Sequence, residues 1–262
     1  MTLRLMTWNI RNGGGDRLPA IIEVVKAERP DILALQELRD FPRYDRTTHF
    51  ATSVGMTPHL ARSVLGQPVA VLVRPPLQLG KRAAVTWRLH HAAAVAEVAT
   101  TAGPLRVVST HLNPFWPYRR MREARWLAAR YFGDRTLIAG DLNGLAPGVD
   151  HTEALAALPA MYRRRHLDPD GTVATGAIAA FADAGFTDLW PAAGPGPGSD
   201  AGETVPTTGL RGHEFGSTRL DYVLAGSAVA PLARDMRVVR GGTAEHASDH
   251  YPVVVDLDIL AA

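Results

Sequence analysis

The sequence predicts one α/β domain built on a mixed sheet or on two packed sheets. Residues 3–36 alternate strand, helix and strand, which indicates a β-α-β unit. Two apolar runs at 95–100 and 105–110 flank a Gly/Pro turn, a pattern typical of antiparallel strands. This mixture argues against a simple doubly wound fold. Because no linker separates two independent cores, we expect a single domain over residues 1–262.

Apolar periodicity and the residues that interrupt it predict the individual elements. Asp16 is a candidate cap for the first helix, and Pro30 ends that helix. Strands are expected at residues 3–8, 32–36, 69–73, 95–100, 105–110, 136–139, 219–224, 236–239 and 251–257, and helices at residues 17–27, 118–131, 152–158 and 174–184. Residues 38–67 are expected to be irregular, and residues 191–218, rich in Gly, Pro and Ser, to form a long loop.

Composition excludes several classes of chemistry. The sequence contains no cysteine, so disulfides, thiolate metal sites and cysteine nucleophiles are excluded. Any metal must then bind carboxylate, amide, imidazole or backbone groups, a set that suits Mg²⁺, Mn²⁺ or Ca²⁺. The formal net charge of +2 is not that of a strongly basic nucleic-acid binder. The nucleophile elbow of serine esterases and the P-loop of nucleotide hydrolases are both absent.

The sequence also carries expectations about location and assembly. Its first residues contain no apolar stretch long enough for a signal peptide. No run approaches the roughly 20 apolar residues that a membrane span needs. We therefore expect a cytoplasmic protein without a transmembrane segment, and a monomer by default.

Polar residues recur where the predicted apolar strands end or begin. Strand ends at one edge of a sheet can bring such residues together in a cleft. Their side chains suit phosphoester hydrolysis, which needs a metal to neutralise the phosphate, a base to activate water and donors for the phosphoryl oxygens. The residues are Asn9, Glu37, His111, Asp141, Asn143, Asp221, Asp249 and His250.

Taken singly, these motifs have ordinary structural interpretations. Gln36-Glu37 at a strand end is commonly a solvated or ion-paired carboxylate. Gly-Asp-Leu-Asn-Gly at residues 140–144 fits an Asx turn, and Ser-Asp-His-Tyr-Pro at residues 248–252 fits a capping turn before a strand. The functional interpretation therefore depends on the complete ordered set.

That ordered set resembles the endonuclease/exonuclease/phosphatase superfamily over nearly the full chain. The matching segments are Thr7-Trp8-Asn9, Gln36-Glu37, Ser109-Thr110-His111-Leu112, Gly140-Asp141-Leu142-Asn143, Arg219-Leu220-Asp221-Tyr222 and Ser248-Asp249-His250-Tyr251-Pro252. The resemblance implies a deoxyribonuclease I-like, four-layer α/β/β/α sandwich with two packed mixed sheets and the site at their top. Abasic-site endonucleases carry a tyrosine-containing motif where this chain has His111, so the resemblance favours the deoxyribonuclease, sphingomyelinase and phosphatase branches.

The resemblance implies roles for the residues around a metal and a nucleophile. Glu37 corresponds to the main metal ligand, with Asn9 and Asp249 nearby, directly or through water. Mg²⁺ is the implied cofactor, with Mn²⁺ or Ca²⁺ as alternatives. Asp141 corresponds to the residue that orients and deprotonates the attacking water, and Asn143 to one that holds the phosphate and the water.

The other matched residues are implied to stabilise the phosphate. His250 corresponds to a donor to the phosphate, and Asp221 to the carboxylate that holds its imidazole. His111 corresponds to a second donor or to a group that assists the leaving group. The activity predicted from the resemblance is metal-dependent hydrolysis of a phosphodiester by an Asp-activated water. A nuclease acting on DNA or RNA, and a non-catalytic binding module on the same fold, are the alternatives.

Trp116 and Arg119 are further candidates for substrate binding because they follow His111 closely in the sequence. Ordinary packing of the loop and a solvated helix face are the alternative interpretations of these residues. The expected partner is a phosphoester substrate, either a small molecule or a nucleic acid. The sequence leaves nucleic-acid, lipid and small-molecule substrates open.

Overall fold

Two mixed β-sheets lie face to face in a computed structural model that describes residues 2–195 and 202–259. In chain order the strands of these ranges are β1 (Leu3–Asn9), β2 (Ile32–Gln36), β3 (Thr57–Ala61), β4 (Val69–Val73), β5 (Leu79–Val85), β6 (Ala92–Val98), β7 (Leu105–His111), β8 (Thr136–Asp141), β9 (Thr187–Asp188), β10 (Asp221–Ala225), β11 (Ala233–Val238) and β12 (Val253–Leu257). The α-helices are α1 (Leu18–Glu28), α2 (Arg46–Val54), α3 (Pro117–Tyr131), α4 (Thr152–Ala156), α5 (Ala160–Arg163), α6 (Gly176–Asp183), α7 (Leu189–Ala193) and α8 (Ala244–Ala247). Short 3₁₀ turns lie at Gly15–Arg17, Arg164–His166 and Ala230–Leu232.

Each sheet has six strands and contains one parallel pair. The first sheet has the order β11-β12-β1-β2-β4-β3, and the second has the order β5-β6-β7-β8-β10-β9. Strands β1 and β2 are parallel, as are β7 and β8, and the other pairs are antiparallel. The predicted combination of a β-α-β unit with antiparallel strands is therefore confirmed in both sheets.

The alternation of side chains along each strand divides the core into layers. On β1, Leu3 and Leu5 face the second sheet, whereas Met6 and Trp8 face the helices. Helices α1, α2 and α8 cover the outer face of the first sheet, and α3 and α6 cover the outer face of the second. The result is the four-layer α/β/β/α sandwich that the resemblance implied.

Several elements differ from those that periodicity predicted. Residues 38–67 are not wholly irregular, because α2 and β3 lie there, and β5 was not predicted at all. Most of β5 is exposed at a sheet edge, so it has no apolar alternation to detect. Within the predicted loop at 191–218, residues 191–193 complete α7, and residues 196–201 lie outside the described residues. No helix in the described part of the chain has the length and apolarity needed to cross a bilayer.

Candidate functional site

The inner faces of the two sheets become polar at one end of the sandwich. Asn9, His111 and Asp141 end β1, β7 and β8, and Asp221 begins the antiparallel β10 beside them. Because side chains alternate along a strand, these four lie on the same inner faces as the apolar core residues of their own strands. The polar residues that the sequence singles out at strand ends are therefore brought to one edge of both sheets.

A cleft of about 390 Å³ opens at this edge. Six of the predicted site residues line it directly: Glu37, His111, Asp141, Asn143, Asp249 and His250. Asn9 and Asp221 lie behind the lining and hydrogen-bond to it, Asn9 to Asp141 and Asp221 to His250. The structure thus brings together the whole set that the resemblance identifies.

Below the cleft, one buried amide links the two sheets. Gln36 Nε2 donates to Thr7 Oγ1 in its own sheet and to Ser109 Oγ in the opposite sheet, each over 3.2 Å. Ser109 Oγ in turn donates to the carbonyl of Leu35 over 3.2 Å. Because buried polar groups need partners, these bonds favour one relative position of the two sheets.

Asp141 is the buried carboxylate at the centre of the site. Its Oδ1 accepts from the backbone N of Asn143 over 2.9 Å, and its Oδ2 accepts from Asn9 Nδ2 over 2.9 Å. The same Oδ2 lies 3.4 Å from His111 Nε2 and 3.8 Å from His250 Nε2. Burial raises the pKa of Asp141 to about 7, although the neighbouring imidazole of His250 acts in the opposite direction. A proton acceptor is therefore held between two imidazoles.

His250 and Asp221 form a buried ion pair. His250 Nδ1 lies 2.8 Å from Asp221 Oδ2, and Trp8 Nε1 donates to the carbonyl of His250 over 2.8 Å. Burial opposes the charge on the imidazole, but the carboxylates of Asp221 and Asp141 outweigh it and raise the pKa of His250 to about 10. At neutral pH, His250 is therefore a cation whose Nε2–H is directed away from Asp221.

Glu37 lies where β2 gives way to a loop, in a left-handed backbone conformation with φ of 59°. Its Oε1 accepts from Asn9 Nδ2 over 3.1 Å, and its Oε2 accepts from the backbone N of Asn12 over 2.9 Å and from Gln67 Nε2 over 3.2 Å. Burial raises the pKa of Glu37, while the bonds from Asn12 and Asn9 act in the opposite direction. The carboxylate is thus fixed in a strained segment, a feature that clusters at functional sites.

The oxygen donors around Glu37 fit an open site for a hard divalent cation. Asp249 is close enough for its charge to raise the pKa of Glu37 further, and its Oδ2 pairs with Arg11 Nε over 3.2 Å. Over residues 2–195 and 202–259, no three His, Asp or Glu side chains form a metal-holding group. Mg²⁺ commonly takes one or two carboxylates and keeps several waters, so this donor set suits Mg²⁺ better than a closed zinc site.

Close approach of β7 and β8 delivers Asp141 to the cleft. Gly140 has φ of 149°, and a Cβ at this position would lie 1.9 Å from the carbonyl oxygen of Thr110. Only glycine permits that approach. Asn143 follows with φ of 50°, and its Nδ2 donates to the carbonyl of Leu112 over 3.2 Å. The Gly-Asp-Leu-Asn segment is therefore more than the Asx turn that it resembles in isolation.

The cleft also contains residues that sequence reasoning did not select. They are Arg11, Asn12, Arg39, Leu65, Gln67, His90, His91, Pro114, Phe115, Arg165, Glu214 and Phe215. His90 and His91 precede β6, at a strand beginning like that of His250, and this position is the signal that could have found them. Trp116 and Arg119 are not among the described residues that line the cleft. Trp116 is exposed, and Arg119 lines a separate groove with Arg88 and Arg122.

Comparison with known proteins agrees with this geometry. The Endonuclease/Exonuclease/phosphatase family model matches residues 6–250. The fold is similar to that of an endonuclease/exonuclease/phosphatase family protein from Bacteroides thetaiotaomicron, with 16% identity, a TM-score of 0.67, and coverage of 100% of this chain and 99% of that chain. Truncated Caenorhabditis elegans TDP2 has 19% identity, a TM-score of 0.66, and coverage of 100% and 98%. The mannosyl-6-phosphatase of Bacteroides thetaiotaomicron has 15% identity, a TM-score of 0.68, and coverage of 97% and 99%.

No curated protein matches the chain at the level of sequence. At these identities, the structural likeness establishes a shared fold. The family match establishes membership of a family in addition to the fold, and its range includes every polar strand-end residue from Asn9 to His250. The chain therefore belongs to the endonuclease/exonuclease/phosphatase family.

Proposed function

We propose that this protein is a divalent-metal-dependent phosphoester hydrolase that acts on a phosphodiester, with a water deprotonated by Asp141 as the nucleophile. The observation that carries this proposal is the position of Asp141 Oδ2, 3.4 Å from His111 Nε2 and 3.8 Å from His250 Nε2 in one cleft. A base beside two donors is what attack on a phosphorus centre requires. Membership of the family supports the same chemistry.

Asp141 is suited to act as a general base near neutral pH. A base works best when its pKa lies close to the working pH, and burial raises the pKa of Asp141 to about 7. The bonds from Asn9 and from the backbone of Asn143 fix the plane of the carboxylate. A water beside Oδ2 can therefore transfer its proton to Asp141 as it attacks phosphorus.

His250 is suited to stabilise the charge that develops on the phosphoryl oxygens. Its cationic imidazole is held by Asp221 through Nδ1, so Nε2–H remains available for a phosphoryl oxygen. Burial lowers the pKa of His111 far below its ordinary value, so this second imidazole is neutral. A neutral imidazole still has one N–H donor. Asn143, in the same lining, is the third candidate donor to the phosphate.

We further propose that Glu37, with Asn9 and Asp249, holds Mg²⁺ or Mn²⁺. Such a cation, when bound, neutralises negative charge on the phosphate and on the leaving oxygen. The strained backbone of Glu37 and the three hydrogen bonds that its carboxylate accepts support its assignment as the principal ligand. Asp249, whose Oδ2 pairs with Arg11 Nε over 3.2 Å, would then contribute a second carboxylate.

The charge of the cleft supports a small phosphoester rather than a long polyanion as substrate. Within the described lining, four basic side chains and four acidic ones offset each other: Arg11, Arg39, Arg165 and His250 against Glu37, Asp141, Glu214 and Asp249. Proteins that bind long nucleic acids by their phosphates carry an excess of Lys and Arg. The balance therefore favours a substrate with one or two phosphate groups.

Hydrolysis of bis(4-nitrophenyl) phosphate tests the proposal. The expected result is release of 4-nitrophenolate with Mg²⁺ or Mn²⁺, its loss in EDTA, and a decrease of at least about 100-fold in the isosteric variant Asp141→Asn. 4-Nitrophenyl phosphate, assayed in parallel, measures the preference between diester and monoester. Metal-independent hydrolysis, or full activity in Asp141→Asn, would overturn the mechanism. Inactivity on both esters with every divalent cation would favour a non-catalytic binding module.

A further inference from the structure

One wall of the cleft is built from a chain of four rings, two of whose three contacts are edge-to-face. The rings of His111 and His91 lie 4.3 Å apart, those of His91 and His90 lie 4.5 Å apart, and those of His90 and Phe115 lie 5.6 Å apart. All four residues line the cleft, and Phe115 is 44% exposed. This ring wall, His111-His91-His90-Phe115, runs outward from the side chain that touches Asp141. It therefore begins at the reacting centre and ends at the cleft mouth.

The imidazoles of the ring wall are neutral and incompletely bonded. Burial lowers the pKa of His91 to about 3 and that of His111 far below its ordinary value. Among the described residues, neither His91 Nδ1 nor His111 Nδ1 has a hydrogen-bond partner, although both atoms are buried. Buried polar atoms without partners are uncommon and indicate a missing water or ligand. The ring wall is thus uncharged at its buried inner end, and its accessible part is the outer pair of the half-buried His90 and the exposed Phe115.

A guanidinium closes the outer end of the ring wall. Arg165 Cζ lies 5.2 Å from the ring centroid of Phe115 and 4.7 Å from that of Tyr162. Arg165 Nη1 also lies 3.7 Å from Glu214 Oε2 on the far side of the cleft. A planar guanidinium over a ring face is a good stacking partner for another planar group.

Two buried charged residues of α3 hold the wall in place. The carboxylate of Glu123 accepts from the backbone N of His90 over 2.6 Å and from that of Asn113 over 2.7 Å. Arg120, only 1% exposed, donates to the carbonyls of Asn113 over 3.3 Å and of Arg165 over 2.6 Å. These two side chains therefore connect the three loops that carry the wall. Burying two charged side chains is costly. Their use to fix loop backbones indicates that these loops are held rigid, as a preorganised binding surface must be.

We propose that the ring wall is a subsite for a planar aromatic group on the phosphoester, so that the substrate carries a ring next to the phosphate that is attacked. This inference rests on the proposed phosphoester hydrolysis and names the class of substrate for that site. The planar group packs on the exposed Phe115 and the half-buried His90, beside Arg165. A nucleobase and a simple aryl group share this chemistry.

Three diesters with one leaving group separate ring recognition from chemistry. They are methyl, phenyl and thymidine-5′-yl 4-nitrophenyl phosphate. In each, water forms a new P–O bond and 4-nitrophenolate leaves, so only the retained group differs. We expect kcat/KM for the phenyl and thymidine esters, whose retained group carries a ring, to exceed by at least about fivefold that for the methyl ester, whose one ring is the leaving group common to all three; fivefold is the lower end for ring stacking. A preference for the thymidine ester alone identifies a nucleobase, and an equal preference for the phenyl ester identifies any aryl group.

Phe115→Leu, which keeps an apolar side chain but removes the ring, should abolish this preference, so that the three esters are hydrolysed with similar kcat/KM. Phe132→Leu is the matched control, because Phe132 is exposed and packs near Phe186, outside the cleft lining. The control should keep the full preference. A preference unchanged by Phe115→Leu, or no preference in the parent protein, would overturn the proposal.

A binding measurement keeps this test independent of turnover. Calorimetry of thymidine 5′-phosphate and of 2-deoxyribose 5-phosphate compares the same phosphate with and without a ring. Tighter binding of the ring-bearing ligand, lost in Phe115→Leu, supports the subsite even if no ester is hydrolysed. Equal binding of the two ligands refutes it even if the esters are hydrolysed. Failure of the subsite and failure of the proposed function are therefore distinguishable.

Discussion

Replacing Asp221 by Asn tests the central electrostatic feature of the site. The substitution keeps the shape of the side chain but removes the charge that lies 2.8 Å from His250 Nδ1. Asp221 is fully buried, and its Oδ1 has no hydrogen-bond partner among the described residues. Removing one partner of a buried ion pair costs about 3–5 kcal/mol, so the fold is also destabilised, and activity is compared under conditions in which both proteins are folded.

The expected loss falls on turnover. A charge-assisted hydrogen bond contributes about 1.5–3 kcal/mol, and each 1.4 kcal/mol corresponds to a factor of ten in rate. Loss of the protonated state of His250 also weakens a donor to the transition state, and complete removal of such a donor costs about 10²–10³-fold. We expect kcat on bis(4-nitrophenyl) phosphate to fall by about 100-fold or more in Asp221→Asn. KM should change little, and urea unfolding should show the lower stability of the variant.

Asp188→Asn is the matched control, in which stability falls but turnover is retained. Asp188 binds Arg219 through two bonds of 2.9 and 2.7 Å, outside the described lining of the cleft. Loss of this charge leaves the buried guanidinium poorly paired, so the free energy of unfolding should fall by about 2–3 kcal/mol while kcat is retained. A kcat within about threefold of the parent in folded Asp221→Asn would refute the assigned role of the His250–Asp221 pair.

Three further predictions concern the metal, the backbone and pH. Glu37→Gln should raise the Mg²⁺ concentration for half-maximal activity at least about tenfold, because an amide binds Mg²⁺ less well than a carboxylate; an unchanged titration would remove Glu37 as principal ligand. Gly140→Ala should destabilise the fold by more than about 3 kcal/mol in urea, since its Cβ would meet the carbonyl of Thr110 at 1.9 Å; near-parental stability would show that β8 can shift. Burial lowers the pKa of His166 to about 3. As pH falls below about 6.5, this imidazole is therefore protonated in the unfolded chain but not in the folded protein, and the free energy of unfolding falls. Relative to His166→Leu, the parent should therefore lose about 1 kcal/mol for each pH unit below about 6, and parallel pH curves for the two proteins would contradict the assignment.

Much of the fold could be predicted because the buried strands carry plain apolar runs. Strands β2 and β4 appear in the structure at their predicted bounds, since every residue in each is buried. Helix α2 could not be predicted in the same way. Its sequence is polar and β-branched, and it is held as a helix by Phe50, Ala51 and Val54 packing on the first sheet. Tertiary packing determines the helical conformation of such a segment, and the periodicity of a single sequence does not reveal that packing.

The catalytic set could be predicted in part because it ends or begins strands, but the support beneath the ring wall could not. The arginines at the start of α3 look like a solvated face in the sequence, yet Arg120 is buried. Extending the core stripe of Ala124 and Leu127 back by one turn reaches Arg120 and Glu123, which is the signal that could have found them. Their hydrogen bonds to backbone groups of other loops depend on tertiary structure, and no local pattern encodes them.

The pairing of β12 with β1 has a consequence for how the site is assembled during folding. Asp249 and His250 precede β12, which joins the sheet beside β1, and the adjacent Ser248 Oγ donates to the carbonyl of Asn9 over 2.7 Å. The cationic donor and Asp249 therefore reach the cleft only when two strands that are far apart in the sequence have paired. We expect a chain in which β12 is detached from β1 to lack hydrolytic activity even where the second sheet, with Asp141 and Asp221, is formed.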